Sequence, residues 1–206
     1  MEGDNIQLKI NIPNIVITLS CKYLELSIML YTVKCTYTDP ETEASWNNFY
    51  SQIKLPNLIS INSFITSQRF KSLTSGCPFY LTIHTVTDVK AIYSEEYIQK
   101  GDGNFSYWQS NISEWGCNLY ACDKMAPDVS MQEFLVICPK CVEFIEMELG
   151  FQPWIMQSTG LDRFSENQVA YVVPKEDSSL FSAISGCFFY KPITNQLQNL
   201  AAIHSN

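Results

Sequence analysis

Of the two histidines in this 206-residue chain, His84 stands where proton chemistry could be done. It ends the run Tyr80-Leu81-Thr82-Ile83-His84. Strand alternation would put Tyr80, Thr82 and His84 on one face, with Leu81 and Ile83 on the other. The more apolar pair is expected against helices, which turns His84 toward a cavity. There it could act as a general base or ligand contact, with Tyr80 as hydrogen-bonding neighbour. The plainer reading is an interior histidine satisfied by a hydrogen bond. His204 lies in the C-terminal tail and has no such company.

Two arginines end strands in similar contexts, Arg69-Phe70 and Arg163-Phe164. A guanidinium offers a planar fork of donors to a carboxylate or phosphate. Either could equally snorkel at a rim or pair with an acid such as Asp162. Trp46, Phe49, Tyr50 and Ile53 recur at helical spacing, which suits a core-facing stripe or the wall of an aromatic pocket.

Cysteine supplies the sharpest local motif, Cys138-Pro139-Lys140-Cys141, placed between a short strand and a helix. A helix N-terminus would favour a Cys138 thiolate as nucleophile, with Cys141 as resolving thiol. Cys117 and Cys122 could join this pair as four zinc ligands, though their spacing is looser than a usual knuckle. The remaining reading is buried, unbridged thiols for all eight cysteines. Glycine-rich phosphate loops, Gly-x-Ser-x-Gly turns and His-Glu-x-x-His motifs are absent from the sequence.

These residues need elements to hold them. Residues 1–28 read as an upstream extension, with Met29 as a candidate start, or as an extra edge strand over Ile15 to Ser20. A strand over Leu30 to Tyr37 leads to a helix with Asp39 as N-cap and Pro40 at its first position, stopped by Pro56. Strands follow over Ile61 to Phe70 and Phe79 to Val86, then a helix from Asp88 to Ile98. The second half repeats this order. It has a strand over Glu133 to Ile137, a helix over Lys140 to Leu149, and strands over Trp154 to Gly160 and Val169 to Val173. A short helix over Ser178 to Ile184 and a strand over Cys187 to Tyr190 complete it. The repeat is about ninety residues long. The expected divisions are 29–103 for the first ferredoxin-like repeat, 104–132 for a connector able to supply a strand, 133–194 for the second repeat and 195–206 for a tail.

Composition limits the partners. With 46% hydrophobic and 17% charged residues, a packed core is within reach. A net charge of −8 without a basic stripe argues against nucleic acid and anionic membranes. No apolar run reaches the ~20 residues of a membrane span. An acidic N-terminus is no secretory signal, so a cytoplasmic protein is expected.

Tyr50-x-x-x-Lys54-Leu55-Pro56, the strand ending Gln68-Arg69-Phe70, and Phe79-Tyr80-Leu81 with the later Ser94-Glu95-Glu96-Tyr97 resemble the EthD-like branch of the dimeric α/β-barrel superfamily. Trp115-Gly116-Cys117-Asn118-Leu119-Tyr120 and Ala126-Pro127-Asp128-Val129 resemble the connector of its tandem members. The resemblance spans about residues 29 to 190. It implies two ferredoxin-like sheets packed face to face around a cavity, both supplied by one chain. The superfamily includes monooxygenases, cyclases and haem-degrading enzymes, so it implies a fold rather than one reaction. Relatives often carry a histidine before the Leu-Pro that ends the first helix. Lys54 stands there in this chain, and a cation does not replace a proton-shuttling imidazole. That departure favours binding over catalysis.

The expectation is therefore an α+β protein of two tandem ferredoxin-like repeats forming an intramolecular α/β barrel of the dimeric type. It would bind, or transform, a small apolar or aromatic molecule between its sheets. Thr82, Tyr50, Lys54, Arg69 and Arg163 would contact the ligand, and His84 and Tyr80 would handle protons with no cofactor or metal. Two rivals stay open: a thiol–disulfide oxidoreductase using Cys138 and Cys141, and a structural or interaction protein with a solid barrel. Association into a homodimer is left open.

Overall fold

The computed structural model of the chain describes residues 7–12, 15–20, 28–101, 105, 107–161, 166–182 and 184–203. Strands β1 (Gln7–Ile12) and β2 (Ile15–Ser20) pair only with each other, as an antiparallel hairpin. The rest is α+β. Its first half comprises β3 (Ile28–Tyr37), α1 (Glu43–Phe49), a π turn (Tyr50–Lys54), α2 (Leu55–Ile59), β4 (Phe64–Ser72), β5 (Tyr80–Val86), α3 (Glu95–Lys100) and β6 (Ile112–Cys122). The second half comprises β7 (Glu133–Cys138), α4 (Glu143–Met147), β8 (Trp154–Gly160), β9 (Gln168–Pro174), α5 (Ser178–Ser182) and β10 (Phe188–Pro192). A two-residue strand β11 (Leu197–Gln198) adds to β4, and α6 (Leu200–Ile203) ends the chain's described part.

Each half shows the ferredoxin-like strand order, β6-β3-β5-β4 and β10-β7-β9-β8. Antiparallel pairing of β6 with β8 and of β10 with β4 joins the two sheets into a closed eight-stranded barrel. The strand β6, in the interval read as a connector, is the fourth strand of the first sheet.

Closure decides which face of each strand turns inward. The interior of an eight-stranded barrel is just wide enough for side chains to fill. The most apolar positions go there. Leu30, Phe70, Leu81, Ile83, Tyr120, Leu135, Ile137, Trp154, Met156 and Tyr190 form one buried cluster drawn from seven of the eight barrel strands, and β9 adds Ala170. Ala126 and Val129, from the segment between β6 and β7, join that cluster. Gln68 holds this plug through both backbone groups of Val129, accepting from its N–H at 3.1 Å and donating to its carbonyl at 2.7 Å.

Two expectations are corrected here. The space between the sheets is filled, and the gap beside Gln68, Ile83, Val129 and Trp154 admits no water. Leu81 and Ile83 face the barrel interior, whereas Tyr80, Thr82 and His84 face the helices. Comparing apolarity along β5 alone could not show that closure makes the inside the drier side.

The first helix also departs from expectation. It begins at Glu43 with Thr42 as its N-cap residue, while the Asp39 carboxylate accepts from the Glu41 N–H and the Thr42 hydroxyl. Pro56 does not end it. The Leu55 N–H bonds the Tyr50 carbonyl, five residues back, and Pro56 then sits in the first turn of α2. The backbone stays helical across the junction, and the wider turn just before Pro56 is where the helix accommodates a residue that cannot donate. A wider turn puts Lys54 in line with Tyr50, so Lys54 is buried and Ile53 is 51% exposed. The second expected helix splits into a 3-10 turn over Val89–Tyr93, capped by Asp88, and α3, capped by Ser94.

Cysteine geometry overturns the zinc reading and the pairing proposed for redox work. Cys138 is joined to Cys187, with Cα atoms 4.5 Å apart, and Cys141 is an exposed free thiol. Cys187 opens the loop into β10, beside the end of β7, so the neighbouring strand rather than the next helix supplies the partner. Cys122 packs in the barrel interior while Cys117 faces the helices, as an odd spacing along β6 requires. Among the described residues no group of side chains could hold a metal ion.

Candidate functional site

The helix-facing side of the first sheet carries the polar groups. Across β4, β5 and β3, register aligns Ser67 with His84 and Tyr31, Arg69 with Thr82 and Val33, and Lys71 with Tyr80 and Cys35. The π turn and α2 lie over part of this surface, and α3 over another. Between them and the sheet is a cavity of about 380 Å³. Tyr31, Tyr50, Lys54, His84, Tyr97 and Phe105 give it its chemical character.

His84 is fully buried at its floor. Its Nδ1 is hydrogen-bonded to Ser67 Oγ at 2.7 Å. Its ring stacks on Tyr31, with centroids 5.7 Å apart, and meets Phe64 edge-on. Nε2 has no hydrogen-bond partner among the described residues. Burial pushes the imidazole pKa down to about 3, and the Lys54 charge pushes in the same direction. His84 is therefore neutral at physiological pH.

Lys54 reaches under the helix layer, donating to the Gly101 carbonyl at 2.8 Å with its ammonium 4.1 Å from the centre of the Phe105 ring. A Cβ at Gly101 would stand 2.6 Å from Leu58 and 2.7 Å from Tyr97, so only glycine permits this approach. On the opposite wall the Tyr31 hydroxyl lies 2.9 Å from the Tyr97 hydroxyl and donates to Cys117 Sγ at 3.2 Å. With its single proton so used, Tyr31 accepts from Tyr97. Burial raises the Tyr31 and Tyr50 pKa values, so both phenols stay neutral. Lys54 is the charged group among the described lining residues, and no carboxylate is among them.

The expected site residues therefore divide. His84, Tyr50 and Lys54 line the cavity. Thr82 lies behind, donating to the Tyr50 hydroxyl at 3.4 Å. Arg69 is 1% exposed and supports the wall from beneath: its guanidinium carbon lies 4.0 Å from the Tyr50 ring centre. It donates to the Asn47 carbonyl, the Asn47 side chain and Ser51 Oγ. These bonds from its two terminal nitrogens to α1 and the π turn make it a tie between the helices and the sheet. Burial brings even its pKa down, to about 10.

Tyr80 is separated from the site, which corrects the proposed His84–Tyr80 pair. Four residues of strand put them about 13 Å apart. The Tyr80 hydroxyl instead donates to Glu43 and accepts from Asn47 at 2.7 Å. Arg163 lies outside the described residues, as do Asp162 and His204. Ser67, Tyr31, Tyr97 and Cys117 were missed. Alternation along β3 and β4, had it been carried across the sheet from His84, would have found Tyr31 and Ser67.

The helix-facing side of the second sheet differs: a groove of about 440 Å³ is lined by Leu73, Phe134, Ser178, Cys187 and Phe189, and beside it the layer is packed. Val136, Cys138, Ile145, Tyr171, Phe181 and Cys187 pack there as a solid cluster, with the disulfide inside it.

No protein family matches the sequence, and no curated protein matches it. Solved structures do share the fold. An anthrone oxidase-like protein is 7% identical over 83% of this chain and 92% of its own, with a TM-score of 0.52. A provisionally assigned monooxygenase from Lactobacillus acidophilus is 9% identical over 84% of this chain and 96% of its own, also at 0.52. A provisionally assigned chlorite dismutase is 12% identical over 81% and 95%, at 0.50. At these identities the likeness establishes the dimeric α+β-barrel fold alone.

Proposed function

We propose that this chain binds a small aromatic molecule bearing a hydroxyl or carbonyl oxygen, held between the first sheet and its helices. The observation that carries this reading is His84, a buried imidazole lining the cavity whose Nε2 has no hydrogen-bond partner among the described residues. Leaving such a group unsatisfied costs about 1–3 kcal/mol, which a bonded ligand oxygen would recover. Tyr31, Tyr50, Phe105 and Trp115 supply aromatic surface, and the cavity volume lies within the range of small-molecule sites. The Lys54 ammonium complements partial negative charge on the ligand oxygen. The EthD-like assignment rests on the motifs around Lys54 and Arg69 and is consistent with such a ligand.

Binding is favoured over turnover by a simple comparison. A phenol has a pKa of about 10, some seven units above that of His84 in its buried setting. Moving its proton to Nε2 would cost about 9 kcal/mol before any stabilisation of the anion. Neutral His84 is suited to recognition.

Titration of the protein with 2-naphthol, followed calorimetrically, tests the reading. Saturable one-to-one binding that weakens in His84→Phe, with the fold intact by circular dichroism, is the expected result. Equal affinity in both proteins would overturn the role given to Nε2.

A further inference from the structure

Glu114 and Leu161 are the non-glycine residues with positive φ among those described, at 51° and 120°. Both adjoin the cavity. Leu161 lines it directly, and Glu114 precedes the lining residue Trp115. A bulky residue at φ near 120° occupies backbone space that belongs to glycine, and such strain persists only where surrounding structure enforces it. Each corner also coincides with a break in strand pairing. The β3–β6 register shifts between Lys34 and Thr36, opposite the Glu114–Trp115 stretch, and the β6–β8 register shifts beside the Leu119–Gly160 pair. Breaks of this kind re-aim side chains. Here they aim two large apolar side chains, 46% and 44% exposed, at one cavity.

The two side chains come from different halves. Trp115 belongs to β6, where its ring meets Phe105 edge-on at 5.5 Å, and Leu161 follows β8. We propose that Trp115 and Leu161 form a gate across the β6–β8 seam that sets the size of ligand the cavity admits. The inference rests on the binding reading above and adds its specificity determinants. It assigns the second half a part in the site through Leu161.

Leu161→Gly separates gate from scaffold, because glycine relieves the backbone while removing the side chain. Wild-type protein, Leu161→Gly and Trp115→Ala are titrated with 2-naphthol, which has two rings, and with 1-hydroxypyrene, which has four. Wild type is expected to prefer naphthol by at least about tenfold. Leu161→Gly should shrink that preference several-fold, chiefly by tightening 1-hydroxypyrene, and raise the melting temperature. Trp115→Ala should shrink the preference as well. An unchanged preference in both variants, or a lower melting temperature for Leu161→Gly, overturns the gate while the binding reading stands. Wild type that binds neither compound sinks the binding reading and the gate with it.

Discussion

Lowering the pH from 7 to 5 should destabilise this protein through His84 before any carboxylate contributes much. In the folded chain burial and the Lys54 charge hold the His84 pKa near 3, against 6.5 when unfolded. The folded state therefore refuses a proton that the unfolded state accepts. Stability attributable to this group falls as the pH drops below 6.5, and stops falling only near 3. At pH 5 the separation is 1.5 units at about 1.36 kcal/mol each, or about 2 kcal/mol lost relative to pH 7. The carboxylates with lowered pKa, Asp39, Glu43 and Glu96, also lose stability as the pH falls, but in a lower window. Their contributions are present above the ordinary values of 3.8 and 4.5 and are lost below them, so they hardly enter this window. Urea unfolding of wild type and His84→Gln at both pH values isolates the effect, since His204 is common to the two. The wild type should lose about 2 kcal/mol more than the variant between pH 7 and pH 5. Parallel losses would mean that His84 is protonated in the folded chain, and the account of a dry, neutral imidazole would fail.

Gly101→Ala should cost about 1–3 kcal/mol and abolish naphthol binding, because the added methyl drives Leu58 and Tyr97 into the cavity; wild-type thermal stability in the variant would refute this. Cys187→Ser removes a link between residues 49 apart in sequence and should lower stability by about 2–4 kcal/mol under non-reducing conditions. If wild type with and without reductant unfolds at the same urea concentration, the link is not formed in solution. Trp154→Ala, within the barrel interior, should cost about 3–5 kcal/mol in the same assay. A loss below about 1 kcal/mol would show that the interior is not the packed body described.

Much of the architecture was legible because it is written in local periodicity and order. The strand Trp154–Gly160 and the order of elements in both halves could be read from alternation and turn residues alone. Site placement was less legible, for a physical reason. Alternation separates Tyr80, Thr82 and His84 from Leu81 and Ile83, but which set faces the barrel depends on closure by β6–β8 and β4–β10 pairing, a long-range event. The π turn is a second case. Helical spacing in the sequence turns Ile53 inward, whereas one wider turn exposes it and buries Lys54. Disulfide choice is the third: Cys138 lies three residues from Cys141, yet strand pairing brings Cys187 to it instead.

Closure of the barrel within one polypeptide also changes what a mutation can do. Where two identical chains supply the sheets, every substitution is made in both at once, and a change that suits one face must be tolerated on the other. Here each sheet has its own codons. The half with Lys54 and His84 could keep polar groups under its helices while the other packed Val136, Tyr171 and Phe181 around a disulfide. Joining the sheets is also unimolecular, so dilution does not separate them.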